Sequence, residues 1–323
     1  MTKAIRIKET GAADVLSWEE VDPGQPGENE VLVRQTAIGV NFIDIYHRIG
    51  LYPIAMPGGI GSEAAGVVEA VGPGVTGFAA GDKVAYAGPV GAYAEVRVVP
   101  AKVLLKLPEG VSDQVAAAVL LKGMTAEFLL HRCYAVKPGD TVLVHAAAGG
   151  VGLLMCQWLR HIGAVTIGTV SSAEKADLAK QNGCTHTINY KTEDVVKRVR
   201  ELTNGAGVAV VYDSVGKDTW DISLDCLKPR GMMVSFGNTT GAVPPFSVGT
   251  LAAKGSLFVT RPVLGAYTAT RAELEEVSSH LFQAIADGIL TPKIQQVFPL
   301  KDAAEAHRQL ESGKTVGSTI LVP

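Results

Sequence analysis

Residues 141–163 read TVLVHAAAGGVGLLMCQWLRHIG. A short β-branched and leucine-rich run, Thr141 to Val144, enters a stretch of alanine and glycine and leaves it as a helix-length apolar segment that stops at Gly163. The fingerprint G-x-G-x-x-G is matched with Ala147 in its first place, followed by Gly149 and Gly152. Small residues at these spacings have three tasks: to turn the chain, to let backbone approach a pyrophosphate, and to pack helix against strand. A diphosphate there rests on free N–H groups at the positive end of the helix dipole. The pattern predicts that Gly149, Gly150, Val151 and Gly152 receive a dinucleotide. The alternative for such a stretch is a tight strand-to-helix turn with no ligand.

C-terminal to this point, apolar β runs alternate with helix-length segments. The runs are AVTIGTV, THTINY, GVAVVYDSV, GMMVSFG and GSLFVT, separated by AEKADLAKQNG, EDVVKRVRELTNG and TWDISLDCL. Several of the helical segments end at glycine, as a C-terminal cap requires. With TVLVHA these make six strands, which predicts an α/β fold with a doubly wound parallel sheet of the Rossmann type. The first third is different: EVLVRQTAIGV, AAGVVEAVG, DKVAYAG and AYAEVRVV are broken by PGQPGEN, GPGV and AAGD. This reads as a mostly antiparallel β domain. A helical stretch, TAEFLLHRCYAV, marks the change near residue 124. After residue 264 an amphipathic helix, a strand, a short helix and a final STILVP return to the first domain. The expected division is 1–124 with 265–323 as the substrate domain, and 125–264 as the dinucleotide domain.

The second strand of the alternating series ends Gly168-Thr169-Val170-Ser171-Ser172, where a site for NAD carries Asp or Glu to hold the ribose 2′-OH. Ser171 and Ser172 stand there instead, Lys175 follows within one helical turn, and Tyr190 ends the next strand. Hydroxyls and a lysine suit a 2′-phosphate. NADPH is therefore the expected cofactor. Taken singly, Lys175 also reads as a solvated helix face and Tyr190 as a strand-end aromatic.

The chain has 323 residues and a formal net charge of −3, which gives no electrostatic reason to expect a nucleic-acid partner. The four cysteines, Cys133, Cys156, Cys184 and Cys226, form no C-x-x-C pair and read as buried thiols in a reducing compartment. MTKAIRIKET has no apolar core of a signal peptide, and no run is long enough to span a bilayer. A cytoplasmic location without membrane attachment is expected.

The stretches AIGVNFIDIYHRIGLYP (37–53), GSEAAGVVEAVG (61–72), LKGMTA (121–126), AAAGGVGL (146–153), INYK (188–191), VVYDSVG (210–216) and VSFGN (234–238) together carry a family likeness. Over essentially its whole length the chain resembles the zinc-free quinone oxidoreductases, the zeta-crystallin-like group of the medium-chain dehydrogenase/reductase superfamily. The resemblance implies a GroES-like first domain and hydride transfer from NADPH to quinones. Where zinc-dependent relatives have a cysteine, this chain has Asn41, and their Gly-His-Glu motif is Gly61-Ser62-Glu63. Residues 86–100 hold no cysteine, so no set of three or four metal ligands remains. Quinones and activated enones suit a site without a Lewis acid, because their reduction products are stabilised as hydroquinone or enolate.

The resemblance also implies site residues. Asn41, Phe42 and Ile43 match the loop beside the nicotinamide and its ribose, and Tyr46 and Tyr52 match lining of an open, aromatic acceptor pocket. Thr125 is taken to open the helix beside the nicotinamide. Ser214, the turn Phe236, Gly237 and Asn238, and the strand from Phe258 to Thr260 lie at carboxyl ends of later strands, and Lys314 is placed to reach back to the cofactor. Each has a plainer alternative, the tyrosines as packing aromatics and Lys314 as a surface charge. No Tyr-x-x-x-Lys pair is present, and the one Ser-x-x-x-Lys spacing, Ser171 to Lys175, belongs to the 2′-phosphate reading rather than offering a proton donor. Two other functions stay open: reduction of enones or enoyl thioesters on the same fold, and a cofactor-retaining protein with an RNA-binding or structural role. The strand around 256–263 would be a sheet edge, which predicts a homodimer through it.

Overall fold

The computed structural model describes residues 1–323. In chain order the first elements are β1 (Thr2–Ile7), β2 (Ser17–Val21), β3 (Glu30–Val40), α1 (Phe42–Arg48), β4 (Gly58–Gly59), β5 (Glu63–Val71), β6 (Lys83–Ala87), β7 (Val96–Pro100), β8 (Leu105–Lys106) and α2 (Asp113–Phe128). Next come β9 (Thr141–Val144), α3 (Gly150–Ile162), β10 (Val165–Val170), α4 (Ala173–Gln181), β11 (His186–Asn189), α5 (Val195–Leu202), β12 (Val208–Asp213), α6 (Trp220–Cys226), β13 (Leu227–Ser235), α7 (Gly249–Ala253), β14 (Phe258–Thr260) and α8 (Leu264–Tyr267). The chain closes with α9 (Arg271–Ala286), β15 (Ile294–Pro299), α10 (Ala303–Glu311) and β16 (Ser318–Val322).

Two compact units result. One comprises residues 1–124, 270–286 and 292–323, the other 125–269 and 287–291. The second unit keeps 265–269 and 287–291, which the sequence had placed with the first. Physical ties hold them there: Tyr267 stacks on Phe128 with ring centroids 4.5 Å apart, and Thr291 N donates to Gln157 Oε1 at 2.8 Å.

The first unit is built on a seven-stranded sheet in the order β15-β16-β3-β5-β6-β8, with β7 also paired to β3, and a small sheet β2-β1-β4. All its pairings are antiparallel except β15 with β16. Alternation along β3 buries Val31 and Val33 in a core shared with Ile5, Ile7, Ile60, Val84 and Leu321. The tail enters this sheet through β16, which pairs Thr319 to Leu321 with Ile38 to Val40 of β3.

The second unit carries a six-stranded sheet in the order β11-β10-β9-β12-β13-β14, parallel throughout. Helices α3 and α4 pack together, as do α5 and α6, around strands buried on both faces. That is the doubly wound arrangement, and its strand order reverses between β9 and β12. Helix α3 ends as expected, with Gly163 at φ 85°.

Helix α2 departs from the sequence reading. It begins at Asp113, where the Ser112 hydroxyl accepts from Val115 N, and Thr125 lies well inside it rather than opening a helix. The run AAAVLL is apolar on every side, so it carries no 3.6-residue periodicity to betray the start. Beyond Phe128 the coil widens into a π-turn over Leu129–Cys133.

Candidate functional site

In the second unit, β9 ends at the point where the strand order reverses, and its glycine-rich turn feeds α3. Gly149 occupies the N-cap without a side chain to cap the helix, and the N–H groups of Gly150, Val151 and Gly152 face out of the first turn. Gly152 packs the helix onto the turn: a Cβ there would lie 2.4 Å from Ala146 O and 2.8 Å from Ala147 backbone. At Gly149 a Cβ would meet only Ala146 O, at 3.2 Å, so its outer side is open. An uncapped helix N-terminus behind a turn cleared of side chains fits a diphosphate.

At the end of β10, Ser172 caps α4 by accepting from Lys175 N at 3.3 Å. Lys175 is half-buried, and desolvation followed by the like charge of Lys191 holds its ammonium below the usual lysine range. Lys191, which the sequence reading passed over, and Tyr190, 53 % exposed, follow β11. Ser171, Lys175, Tyr190 and Lys191 thus form a rim bearing two ammonium groups. Glu174 also lies here, fully exposed, and its carboxylate takes the Ser172 hydroxyl, which holds it below the usual carboxylate range.

Further along the same sheet edge, Asp213 Oδ1 accepts from Val215 N at 2.7 Å and Gly216 N at 3.0 Å, shaping the turn that holds Ser214. Gly237 sits so close that a Cβ would be 2.3 Å from Ser214 O, which joins the Phe236–Asn238 turn to it. Phe258 and Thr260 belong to the edge strand β14, Phe258 being 57 % exposed. Arg261, just past that strand and not singled out in the sequence, donates to Ser235 O at 3.0 Å. The structure therefore gathers the predicted residues from 149 to 238 along the carboxyl ends of neighbouring strands.

In the first unit, Asn41 precedes α1 and is buried. Its backbone N–H donates to Asp44 Oδ2 at 2.9 Å and its side-chain amide to Glu63 Oε1 at 3.0 Å. Glu63 also accepts from Leu121 N and from Lys122 Nζ at 3.1 Å. Ser62 donates its hydroxyl to Asp44 Oδ1 at 2.6 Å. The two positions matched to zinc ligands in the zinc-dependent proteins the chain resembles are thus an amide and a hydroxyl, each engaged with a carboxylate. No group of three or more His, Cys, Asp or Glu side chains is placed to hold a metal ion.

Asp44 begins a buried chain that sequence reasoning missed. Tyr93 OH donates to Asp44 Oδ2 at 3.1 Å and lies 3.0 Å from His307 Nε2; His307 Nδ1 lies 3.1 Å from Arg48 Nη1. Arg48 reaches Gly11 O at 3.0 Å and Glu311 at 2.5 Å. Burial, with a smaller push from Glu63, lifts the Asp44 carboxyl from 3.8 to about 7 against its hydrogen bonds. Burial, assisted by Arg48, lowers His307 from 6.5 to about 3. Its members come from residues 44, 48, 93 and 307, too far apart in sequence to form a motif.

Tyr46 packs edge-on to Tyr52 with ring centroids 5.3 Å apart and is 7 % exposed; Tyr52 remains partly exposed. Phe42 and Ile43, in the first turn of α1, are partly exposed. Lys314 is exposed in the loop before β16, its N–H bonded to Ser312 Oγ at 3.2 Å.

Residues 27–109 match the alcohol dehydrogenase GroES-like domain, and residues 150–283 match the zinc-binding dehydrogenase family. A quinone oxidoreductase of Pseudomonas aeruginosa is 52 % identical, with 100 % of both chains covered. A 2-haloacrylate reductase of a Burkholderia species is 49 % identical over 100 % of this chain and 99 % of that protein. The crystal structure of Escherichia coli quinone oxidoreductase complexed with NADPH superposes with a TM-score of 0.98 at 50 % identity, covering 99 % of this chain and 100 % of that one. The chain belongs to the quinone oxidoreductase family of the medium-chain dehydrogenase/reductase superfamily.

Proposed function

We propose that this protein is an NADPH-dependent quinone oxidoreductase that works without a metal. The observation that carries the reading is the full-length likeness to an NADPH-complexed quinone oxidoreductase, joined to a strand-end surface whose parts suit each portion of that cofactor. NADPH, when bound, supplies a hydride to an acceptor that is already electrophilic. The N–H groups of Gly150, Val151 and Gly152 bind the diphosphate, and Ser171, Lys175, Tyr190 and Lys191 bind the 2′-phosphate. Ser214, Phe236, Gly237, Asn238, Phe258 and Thr260 follow the remaining ribose and nicotinamide, with Thr125 and Lys314 as further contacts. Asn41, Phe42, Ile43, Tyr46 and Tyr52 act on the acceptor side and at the nicotinamide ribose. Hydroquinone oxygens take their protons from water, so no dedicated donor is required.

A second acceptor class has support in the likeness to a 2-haloacrylate reductase, whose substrate is an activated alkene. We place the protein in the cytoplasm as a homodimer joined through β14, with no nucleic-acid partner. The deciding experiment is steady-state oxidation of NADPH and NADH with 1,4-benzoquinone, a larger ortho-quinone and 2-chloroacrylate. Quinone turnover with NADPH preferred is the expected result. Turnover of 2-chloroacrylate alone transfers the assignment to alkene reduction, and tight NADPH binding without turnover of any acceptor overturns the enzymatic reading.

A further inference from the structure

Beneath the phosphate-binding turn, a run of buried side-chain hydrogen bonds joins the carboxyl ends of β9, β10 and β12. His145, buried just past β9, has Nδ1 3.0 Å from Thr169 Oγ1 and Nε2 3.0 Å from Ser223 Oγ. Ser223 donates to Asp213 Oδ2 at 2.8 Å. At the other end, the N–H of Ala146 donates to Thr169 Oγ1 at 3.3 Å.

The proton positions follow from counting hydrogens. The single hydroxyl hydrogen of Ser223 goes to the carboxylate, so Ser223 accepts from the ring, and His145 Nε2 carries the proton. Nδ1 is then bare and takes the Thr169 hydroxyl hydrogen, which leaves the lone pairs of that oxygen for the Ala146 N–H. Every member donates in the same direction, from the turn toward Asp213, and such a chain strengthens each of its bonds. Burial holds the imidazole below its usual range against the pull of Asp213, which keeps the ring in this neutral tautomer. The order His–Ser–Asp places the serine between base and carboxylate, so the group is not a hydrolytic triad.

Ala146 is exposed and has φ 53°, a left-handed conformation that an alanine side chain disfavours. Its carbonyl accepts from Gly149 N at 2.9 Å, and its N–H is held from below by Thr169. We propose that His145 is a positioning residue for the cofactor: by fixing the Thr169 hydroxyl it holds the Ala146 amide in the left-handed turn, and so sets where the N-terminus of α3 presents its N–H groups to a diphosphate. This rests on the NADPH reading above.

Three variants test it. Thr169→Val removes the hydroxyl and keeps the shape. His145→Leu removes both ring bonds. His145→Asn keeps an acceptor near the Nδ1 position. The readouts are amide hydrogen exchange of Ala146 in the cofactor-free protein, the NADPH dissociation constant by fluorescence titration, and kcat at saturating NADPH. Thr169→Val and His145→Leu should speed Ala146 exchange and weaken NADPH binding, each by about tenfold, the loss of one hydrogen bond, with kcat at saturation within about twofold. His145→Asn should stay within about threefold of wild type on both binding and exchange, because the Thr169 arm survives. Unchanged exchange and affinity in Thr169→Val overturn the proposal, as does His145→Asn being as impaired as His145→Leu. If His145→Leu does not fold, Thr169→Val decides alone. Wild-type protein that binds no NADPH overturns the cofactor reading instead, and the exchange measurement, made without cofactor, still judges the role of His145.

Discussion

Asp44 and His307 share one hydroxyl, that of Tyr93, and answer pH in opposite senses. Asp44 binds its proton more tightly in the fold than in the unfolded chain, since its carboxyl rises from 3.8 to about 7. The folded state therefore holds extra proton between those values, and the contribution of Asp44 to stability falls as pH rises through that window. His307 falls from 6.5 to about 3, so its contribution is complete above 6.5 and is lost as pH drops toward 3. Asp44→Asn keeps an acceptor for Asn41 N and Tyr93 and turns its amide to Ser62. Thermal unfolding across pH 4 to 8 should show this variant gaining on wild type as pH rises, and His307→Asn gaining as pH falls. The same slope in both variants would refute the opposed pair. At the cofactor rim, Lys175→Ala should cost about 1.5–3 kcal/mol of NADPH affinity, the range for a charged hydrogen bond, and leave NADH nearly unchanged. Equal losses for the two cofactors by fluorescence titration would remove Lys175 from the 2′-phosphate. Lys175 was visible in the sequence because it follows the diagnostic strand end by a few residues. Lys191 was not, because only the pairing of β10 with β11 brings it beside Lys175.

At the scale of elements, the six parallel strands were legible because each is an apolar run bounded by glycine or a polar turn, and alternation with helices of ordinary length leaves few topologies. The start of α2 was hidden by its own uniformity. Gly123 in its interior looks like a helix breaker, yet a Cβ there would meet Leu281 Cδ1 at 2.5 Å, so the glycine admits α9. The antiparallel domain was legible as strands, but its register was not, since β16 and β3 meet across most of the chain length. Gly152 is where element packing and ligand binding coincide. Gly152→Ala forces a methyl group against Ala146 O and should destabilise the second unit by about 1–3 kcal/mol, as overpacking does, while displacing the N–H groups of α3. Calorimetry with a parallel NADPH titration checks both effects. Undiminished affinity would show that the turn has slack there.

For the whole molecule, β14 ends the parallel sheet with its outer edge unpaired, and Phe258 in it and Val263 after it are each 57 % exposed. Natural sheets cover such an edge or charge it. Phe258→Lys should convert the proposed dimer to monomer in sedimentation equilibrium, and a wild-type monomer would dismiss the interface outright. No helix is long and apolar enough to cross a membrane. The net charge of −3 leaves association to shape and apolar surface more than to long-range steering.

The placement of β16 has a consequence for how the protein is made. This strand, Ser318–Val322, leaves a ribosome long after its neighbour β3, yet it lies inside a sheet, between β15 and β3. The segment 125–269 is fully synthesised well before that and can collapse on its own core during translation, whereas the N-terminal sheet must wait with Ile38–Val40 of β3 unpaired on one side. Vectorial synthesis therefore inverts the usual order: the middle of the polypeptide matures first and its beginning last. A nascent chain stalled before β16 would leave Ile38–Val40 of β3 without partners on that side and uncover the buried Ile38 and Val40, the kind of surface that chaperones retain.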